Sequence, residues 1–368
     1  MKRIVQTIIT LLLTIGPLMA EELELQDYTA DSLHAEKRIG LVRRIIRGFD
    51  KVDERYIEPQ HYVFTVMLQS TYTYDFFNIN GKGANSQSFS LAPDGSAKIG
   101  PYFGWRWIFG GYAFNLTQSS FSKKKTELNL SIYSSQIGVD LFYRRTGSDY
   151  KLRDVKLGKN INTSPLEGVS FDGVEAGVTG VNLYYIFNHE RFSYPAAFVQ
   201  STCQKISCGS WMAGIGYTHN TLDFDHDKMQ ALANERLAPQ VVKLDSALMF
   251  RSIIYNDFNI SGGYGYNWVF AKNWVAAASA QLALGYKRNV GTMGDERKVK
   301  PTFSEISPNM IGRFGVIYNN MRWYAGMNAI IYTNTYRKSD FSTTNTFGNM
   351  YLYMGYNFGL KKKYREKK

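Results

Sequence analysis

From His61 to Gly359 the chain alternates apolar and polar residues with a period of two. Tyr62, Phe64, Val66, Leu68 and Tyr72 fall on one face, and Thr65, Gln69, Thr71 and Thr73 on the other. Successive side chains of a strand point to opposite sides of its sheet, so the pattern reads as strand with one apolar and one polar face. It returns as Trp274, Ala276, Ala278, Ala280, Leu282 and Leu284 against Ser279, Gln281 and Gly285. It returns again as Trp323, Ala325, Met327, Ala329 and Ile331 against Arg322, Tyr324, Gly326 and Asn328, and as Met350, Leu352, Met354, Tyr356 and Phe358 against Asn349, Tyr351, Tyr353, Gly355 and Asn357. Runs of this kind predict about twelve strands, near 61–78, 86–103, 105–117, 125–134, 136–150, 174–188, 207–222, 242–264, 267–288, 303–319, 321–337 and 343–360.

The connections sort by parity. Odd ones are long, around 79–85, 118–124, 151–173, 223–241, 289–302 and 338–342, whereas even ones are tight, at Gly104, Ser134-Ser135, Gly265-Tyr266 and Asn319-Asn320. One even position departs from the rule and holds 189–206, an aromatic, Pro-containing stretch with both cysteines of the chain. Short turns on one rim and long loops on the other, with both termini on the short-turn side, predict an all-β fold: a transmembrane antiparallel β-barrel in the outer membrane. The fold alternative is a soluble secreted β-sandwich, which has no reason to sort its loops this way.

Before residue 61 the period changes. Lys2 and Arg3, the apolar run Ile4–Leu18 and the small Ala20 read as a cleaved signal peptide over 1–20, the run being short of the roughly 20 residues of a spanning helix. Within the periplasmic segment 21–60, Ile39, Val42, Ile45 or Ile46 and Phe49 recur at helical spacing among Arg38, Arg43, Arg44, Arg47 and Lys51. This is a basic amphipathic helix that lies on the inner leaflet or else packs against the barrel or frays in the periplasm, and Pro59 marks its limit. The barrel follows over 61–360 and a basic tail over 361–368.

Composition agrees with strands between aromatic girdles: 26 Tyr, 23 Phe and 32 Gly against 9 Pro. The net charge of +12 does not indicate nucleic acid. Six of the basic residues crowd the tail from Lys361 to Lys368, two more lie in the leader, and the rest are dispersed. The expected partners are outer-membrane lipid, the barrel-assembly machinery and a small solute; no cofactor and no metal site is expected.

The first candidate for chemistry is the 189–206 loop. Phe192, Tyr194, Pro195 and Phe198 are badly placed in water, and folding into the barrel mouth as a plug would bury them. The alternative is a hairpin extension packed on the N-terminal helix. Cys203 and Cys208 are a candidate disulfide on an oxidising side of the membrane. Arg106, Asp140, Arg144, Arg251, Arg313 and Arg322 are candidates for the inward face, because an arginine facing lipid at mid-depth costs about 2–4 kcal/mol. Together they describe either an anion-favouring pore or a lumen filled by arginine–carboxylate pairs. His219 raises an outer-membrane lipid hydrolase, which needs a nucleophile such as serine within reach of the base. Asp223, Asp225 and Asp227 raise divalent-cation binding, against the alternative of a solvated loop.

Several phrases carry a resemblance: Tyr56-Ile57-Glu58-Pro59, GPYFGWRWIFGGY over Gly100–Tyr112, GVDLFYRR over Gly138–Arg145, YYIFNHERFSYPAAFVQS over Tyr184–Ser201, and MGYNFG over Met354–Gly359. The chain resembles a family of Gram-negative envelope proteins, domain of unknown function 4421. The resemblance implies an outer-membrane barrel and offers no activity or site residue. The resulting expectation is a non-enzymatic barrel, either a narrow or gated pore for small solutes or a structural envelope protein.

Overall fold

The structure, a computed structural model, describes residues 52–365 apart from 84–85, 106–107, 117–125, 147–148, 241, 246–247, 249–251, 290–305 and 339–340. The leader, the amphipathic-helix positions up to Lys51, Arg106, Arg251 and the last three residues of the tail lie outside the described residues.

The strands are, in chain order, β1 (Ile57–Pro59), β2 (Tyr62–Gly81), β3 (Ser88–Pro93), β4 (Ser96–Trp105), β5 (Ile108–Gly111), β6 (Phe114–Asn115), β7 (Thr126–Tyr133), β8 (Ile137–Arg145) and β9 (Tyr150–Lys156). They continue with β10 (Ser170–Phe171), β11 (Val174–Ile186), β12 (Thr202–Gln204), β13 (Cys208–Phe224), β14 (Ser252–Ala271), β15 (Trp274–Asn289), β16 (Ile306–Asn319), β17 (Trp323–Arg337) and β18 (Phe341–Leu360). Eleven of them run antiparallel in the order β4, β2, β18, β17, β16, β15, β14, β13, β11, β8, β7, and the collinear pieces β5 and β6 lie on the free edge of β4. Among the described residues this makes twelve strand positions of one barrel. The strands β2 and β18 pair along their length, from Tyr62↔Leu360 to Gly81↔Phe341, which brings the start of β2 and the end of β18 to the same rim. The junction from β6 to β7 falls at 117–125, outside the described residues. A single sheet curled on itself, with opposite walls touching through its interior, is not the two-sheet sandwich.

The alternation predicts which way the side chains face. Ile215, Ile260 and Leu284 stand in register on three neighbouring strands and are 60, 73 and 66 % exposed. A contiguous apolar band of this kind is untenable in water and is the outside of a membrane-spanning barrel. Trp105, Trp211, Trp268, Trp274 and Trp323 all sit at the short-turn rim with their rings exposed. That is the place of an aromatic belt at headgroup depth.

Two expectations about turns are corrected. The tight connection after β14 is Lys272-Asn273, with Asn273 at φ +66°, whereas Gly265 and Tyr266 lie within β14 opposite Ser279 and Ala278. Gly and Tyr are turn-like by composition, but a strand paired on both sides absorbs them. The long connections 151–173 and 223–241 are not bare loops. The far end of β2 carries β3, which pairs with β9, which pairs with β10. A helix over His226–Leu237 buries Met229, Ala233 and Leu237, one residue per turn of its inner face. Asp225 caps it, its Oδ1 accepting from Lys228 N at 3.0 Å, so this acidic stretch begins a helix and is not a solvated loop. With Ile79, Leu91, Leu152, Leu166, Leu244 and Leu248 these residues form one core over the mouth at the long-loop rim.

Candidate functional site

The connection from β11 to β13 turns back into the barrel. Ser193 Oγ accepts from Ala196 N at 3.1 Å, Pro195 occupies the first turn, and a one-turn helix forms over Tyr194–Phe198. Phe192, Tyr194, Pro195 and Phe198 are buried, and Phe192, Tyr194 and Phe198 pack in one cluster with Tyr184, Ile186, Met212, Ala277 and Tyr353 of the wall. The walls also hold the loop by hydrogen bonds, two of them to its backbone carbonyls. Asn267 Nδ2 donates to Ser193 O at 2.8 Å, Asn319 Nδ2 to Gln200 O at 3.3 Å, and Gln200 Nε2 to Tyr353 Oη at 2.6 Å. The stretch after the helix, β12, pairs antiparallel with β1, placing Glu58 opposite Cys203. The partner of the loop is therefore the end of the N-terminal segment in strand form. Asp53 adds a second tie, its N–H donating to Glu190 O at 2.8 Å.

Tyr194 points deepest. Its hydroxyl lies 2.7 Å from Ser279 Oγ and accepts from Arg313 Nη1 at 3.2 Å, while its ring packs edge-on against Tyr133 at 5.3 Å. Arg313 is fully buried and ion-paired with Asp140 on the opposite wall. Asp140 Oδ1 also accepts from Ser131 Oγ at 2.7 Å and Tyr133 Oη at 3.1 Å. A carboxylate beside a guanidinium in an apolar setting is tolerable only when its oxygens are satisfied in this way.

Above this layer Phe142, Val178, Ile311, Ile330, Tyr332 and Phe347 fill the middle of the lumen. Arg144 lies 4.9 Å from the centre of the Phe347 ring, with Asp75 and Glu127 each 3.8 Å from its Nη2. Nearer the cap, Lys287 Nζ lies 3.1 Å from Asp257 Oδ2, which also accepts from Asn309 Nδ2 at 2.7 Å. The candidates Asp140, Arg144 and Arg313 thus stand on the inner wall. Asp257 and Lys287 were not among the expected lumen charges, although each lies on the inward parity of its strand, Asp257 with Asn259 and Ser261, Lys287 with Ser279 and Gln281.

Two candidates are corrected. Arg322 is not in the lumen. It occupies the turn before β17, is exposed, and donates through Nε and Nη2 to Tyr356 Oη at 2.9 and 2.7 Å. Alternation is a property of strands, and it ends where the turn begins. Cys203 and Cys208 are free thiols. Cys203 Sγ donates to Asn319 O at 3.2 Å, and Cys208 Sγ accepts from Asn188 Nδ2 at 3.2 Å, so the two thiols have separate partners. Burial pushes the Cys203 thiol up to about 12. His219 faces outward on β13, its Nδ1 2.8 Å from Asn256 Oδ1, an oxygen that also accepts from Tyr217 Oη at 2.9 Å.

These features define a transmembrane β-barrel whose lumen is occupied by an inturned loop, buried ion pairs and a cap at the long-loop rim. The chain belongs to the family described as domain of unknown function (DUF4421), whose profile matches residues 51–358. Among solved structures it is similar to the outer membrane protease OmpT from Escherichia coli, at 8 % identity over 80 % of this chain and 97 % of that one, with a TM-score of 0.31. It is also similar to the translocator domain of the autotransporter NalP from Neisseria meningitidis, at 10 % identity over 88 % and 96 % of the two chains and a TM-score of 0.29. A third is the toluene transporter TodX of P. putida, at 8 % identity over 81 % and 91 % and a TM-score of 0.24. No curated protein matches the sequence.

Proposed function

We propose that this is a non-enzymatic outer-membrane barrel that is sealed at rest and serves as a structural envelope protein. The observation that carries the reading is the filling of the lumen by three successive layers: the inturned loop around Tyr194, the Phe142–Phe347 layer with its ion pairs, and the cap core. Sorted turns and a tryptophan belt at one rim support the outer membrane, with the short-turn rim toward the periplasm. A second reading, a pore gated by the loop, is favoured by how the loop is held. Its seat includes Tyr194–Ser279, Gln200–Tyr353 and Asn267–Ser193 hydrogen bonds, contacts that a polar solute can replace.

Single-channel conductance in planar bilayers separates them, using the refolded mature protein and a variant lacking residues 192–199. Silence from both supports the sealed barrel, because the middle layer and the cap remain. Current only after the deletion supports the gated pore. Steady current from the intact protein sinks the sealed reading.

A further inference from the structure

A groove of about 510 Å³ runs across the outside of the barrel next to the short-turn rim. Its rim-side wall is one cross-strand row, Trp323, Tyr356, Val66 and Phe103, in register on β17, β18, β2 and β4. Its other wall is the next outward row, Met354, Leu68 and Pro101. Both walls are apolar apart from Tyr356 Oη and the indole N–H of Trp323, and beside Tyr356 stands Arg322. Its guanidinium sits 5.4 Å from the centre of the Tyr356 ring and spends two of its five N–H donors on the Tyr356 hydroxyl. The side chain is exposed.

We infer that this groove binds one phospholipid of the periplasm-facing leaflet, an acyl chain lying between the two rows and the phosphodiester against Arg322. Depth and charge both point to that occupant. The groove lies beside the tryptophan belt, where headgroups meet acyl chains. A guanidinium presents donors in a planar fork that matches phosphate oxygens. Arg365 follows the end of β18 at the same rim and favours an anionic headgroup, and Lys363 beside it stands 3.7 Å from Glu54 Oε1. A second copy of the chain docked about a two-fold axis here would bring two Arg322 side chains to one rim, and the like charges oppose it. The inference rests on the membrane-spanning reading of the barrel and is independent of whether the lumen conducts.

Native mass spectrometry of the full chain, refolded in detergent micelles and titrated with phosphatidylglycerol, tests it. Folding is checked by the mobility of unheated samples on gels. The wild type should retain one lipid per chain. Arg322→Gln should lower the bound fraction about tenfold, the worth of one charge-assisted hydrogen bond. Val66→Trp, which fills the groove, should lower it comparably, whereas Lys272→Gln at the turn after β14 should not. Retention of the lipid by Arg322→Gln and Val66→Trp at the wild-type level, absence of an adduct from the wild type, or protein dimers in place of adducts would overturn the assignment.

Discussion

Arg313 and Asp140 meet inside the barrel from opposite walls, and each has partners beyond the other: Tyr194 for the guanidinium, Ser131 and Tyr133 for the carboxylate. Such a pair adds little to stability over an apolar filling but is costly to break, because the survivor keeps a buried charge. Asp140→Ala should therefore destabilise the refolded barrel by about 3–5 kcal/mol in denaturant titrations, with Arg313→Met on the same background recovering part of the loss. Cys203 offers a second check. Its folded pKa is raised to about 12, above an unfolded value near 8.5, so folding favours the protonated thiol. That contribution is fully present below about pH 8.5 and fades as pH rises toward 12. In a Cys208→Ser background iodoacetamide at pH 8 should alkylate Cys203 slowly in the folded protein and quickly after denaturation; equal rates would show that the thiol is not shielded.

At the scale of elements, β1 and β12 join the N-terminal segment to the inturned loop, and Asp53 reinforces the join. The Arg55 guanidinium holds the Asp53 carboxyl down at about 2, and Arg191 contributes to the same field. A depressed carboxyl stabilises the fold above its unfolded value near 3.9, and that stabilisation is lost as pH falls through the folded value. Protection of the amides of 53–58 and 202–204 against hydrogen exchange, relative to the intrinsic rate at each pH, should therefore fall between about pH 4 and pH 2, and Asp53→Asn should remove that dependence while leaving the protection of the barrel amides unchanged. The β1–β12 ladder was not legible in the sequence. Three-residue strands carry too little alternation to detect, and each exists only because the other is beside it. The cap helix was missed for a related reason. Met229, Ala233 and Leu237 do recur at helical spacing, but the flanking residues are charged and polar, so the stripe gains meaning only once β3, β9 and β10 supply a core to bury it. The long barrel strands were readable because lipid outside imposes an apolar face along their length.

At the scale of the molecule, the barrel is asymmetric: tryptophans, tight turns and both ends of the described chain lie at one rim, and the cap at the other. If the short-turn rim is periplasmic, a membrane-impermeant maleimide applied to intact cells should label Asp227→Cys and leave Arg322→Cys unlabelled, each in a background without Cys203 and Cys208. The reverse pattern would invert the topology. Asp227 is suited to the purpose because its side chain is 98 % exposed.

The sequence by itself determined the architecture, since a strand of a barrel in lipid must alternate at every turn of its pleat and its loops must sort between two compartments. It also determined that Arg144, Arg313 and Asp140 face inward, because parity within a strand is rigid. It could not determine what parity does not reach: where Arg322 points once its strand has ended, whether two thiols five residues apart meet, and which residues of a long connection find a core. Those were decided only by tertiary contacts. Asn319 and Asn188 take the two thiols separately, Tyr356 holds Arg322 at the rim, and the walls around Ser279 and Arg313 receive Tyr194. In each case the deciding partner lies on another strand or turn, too far along the chain for any local pattern to register it.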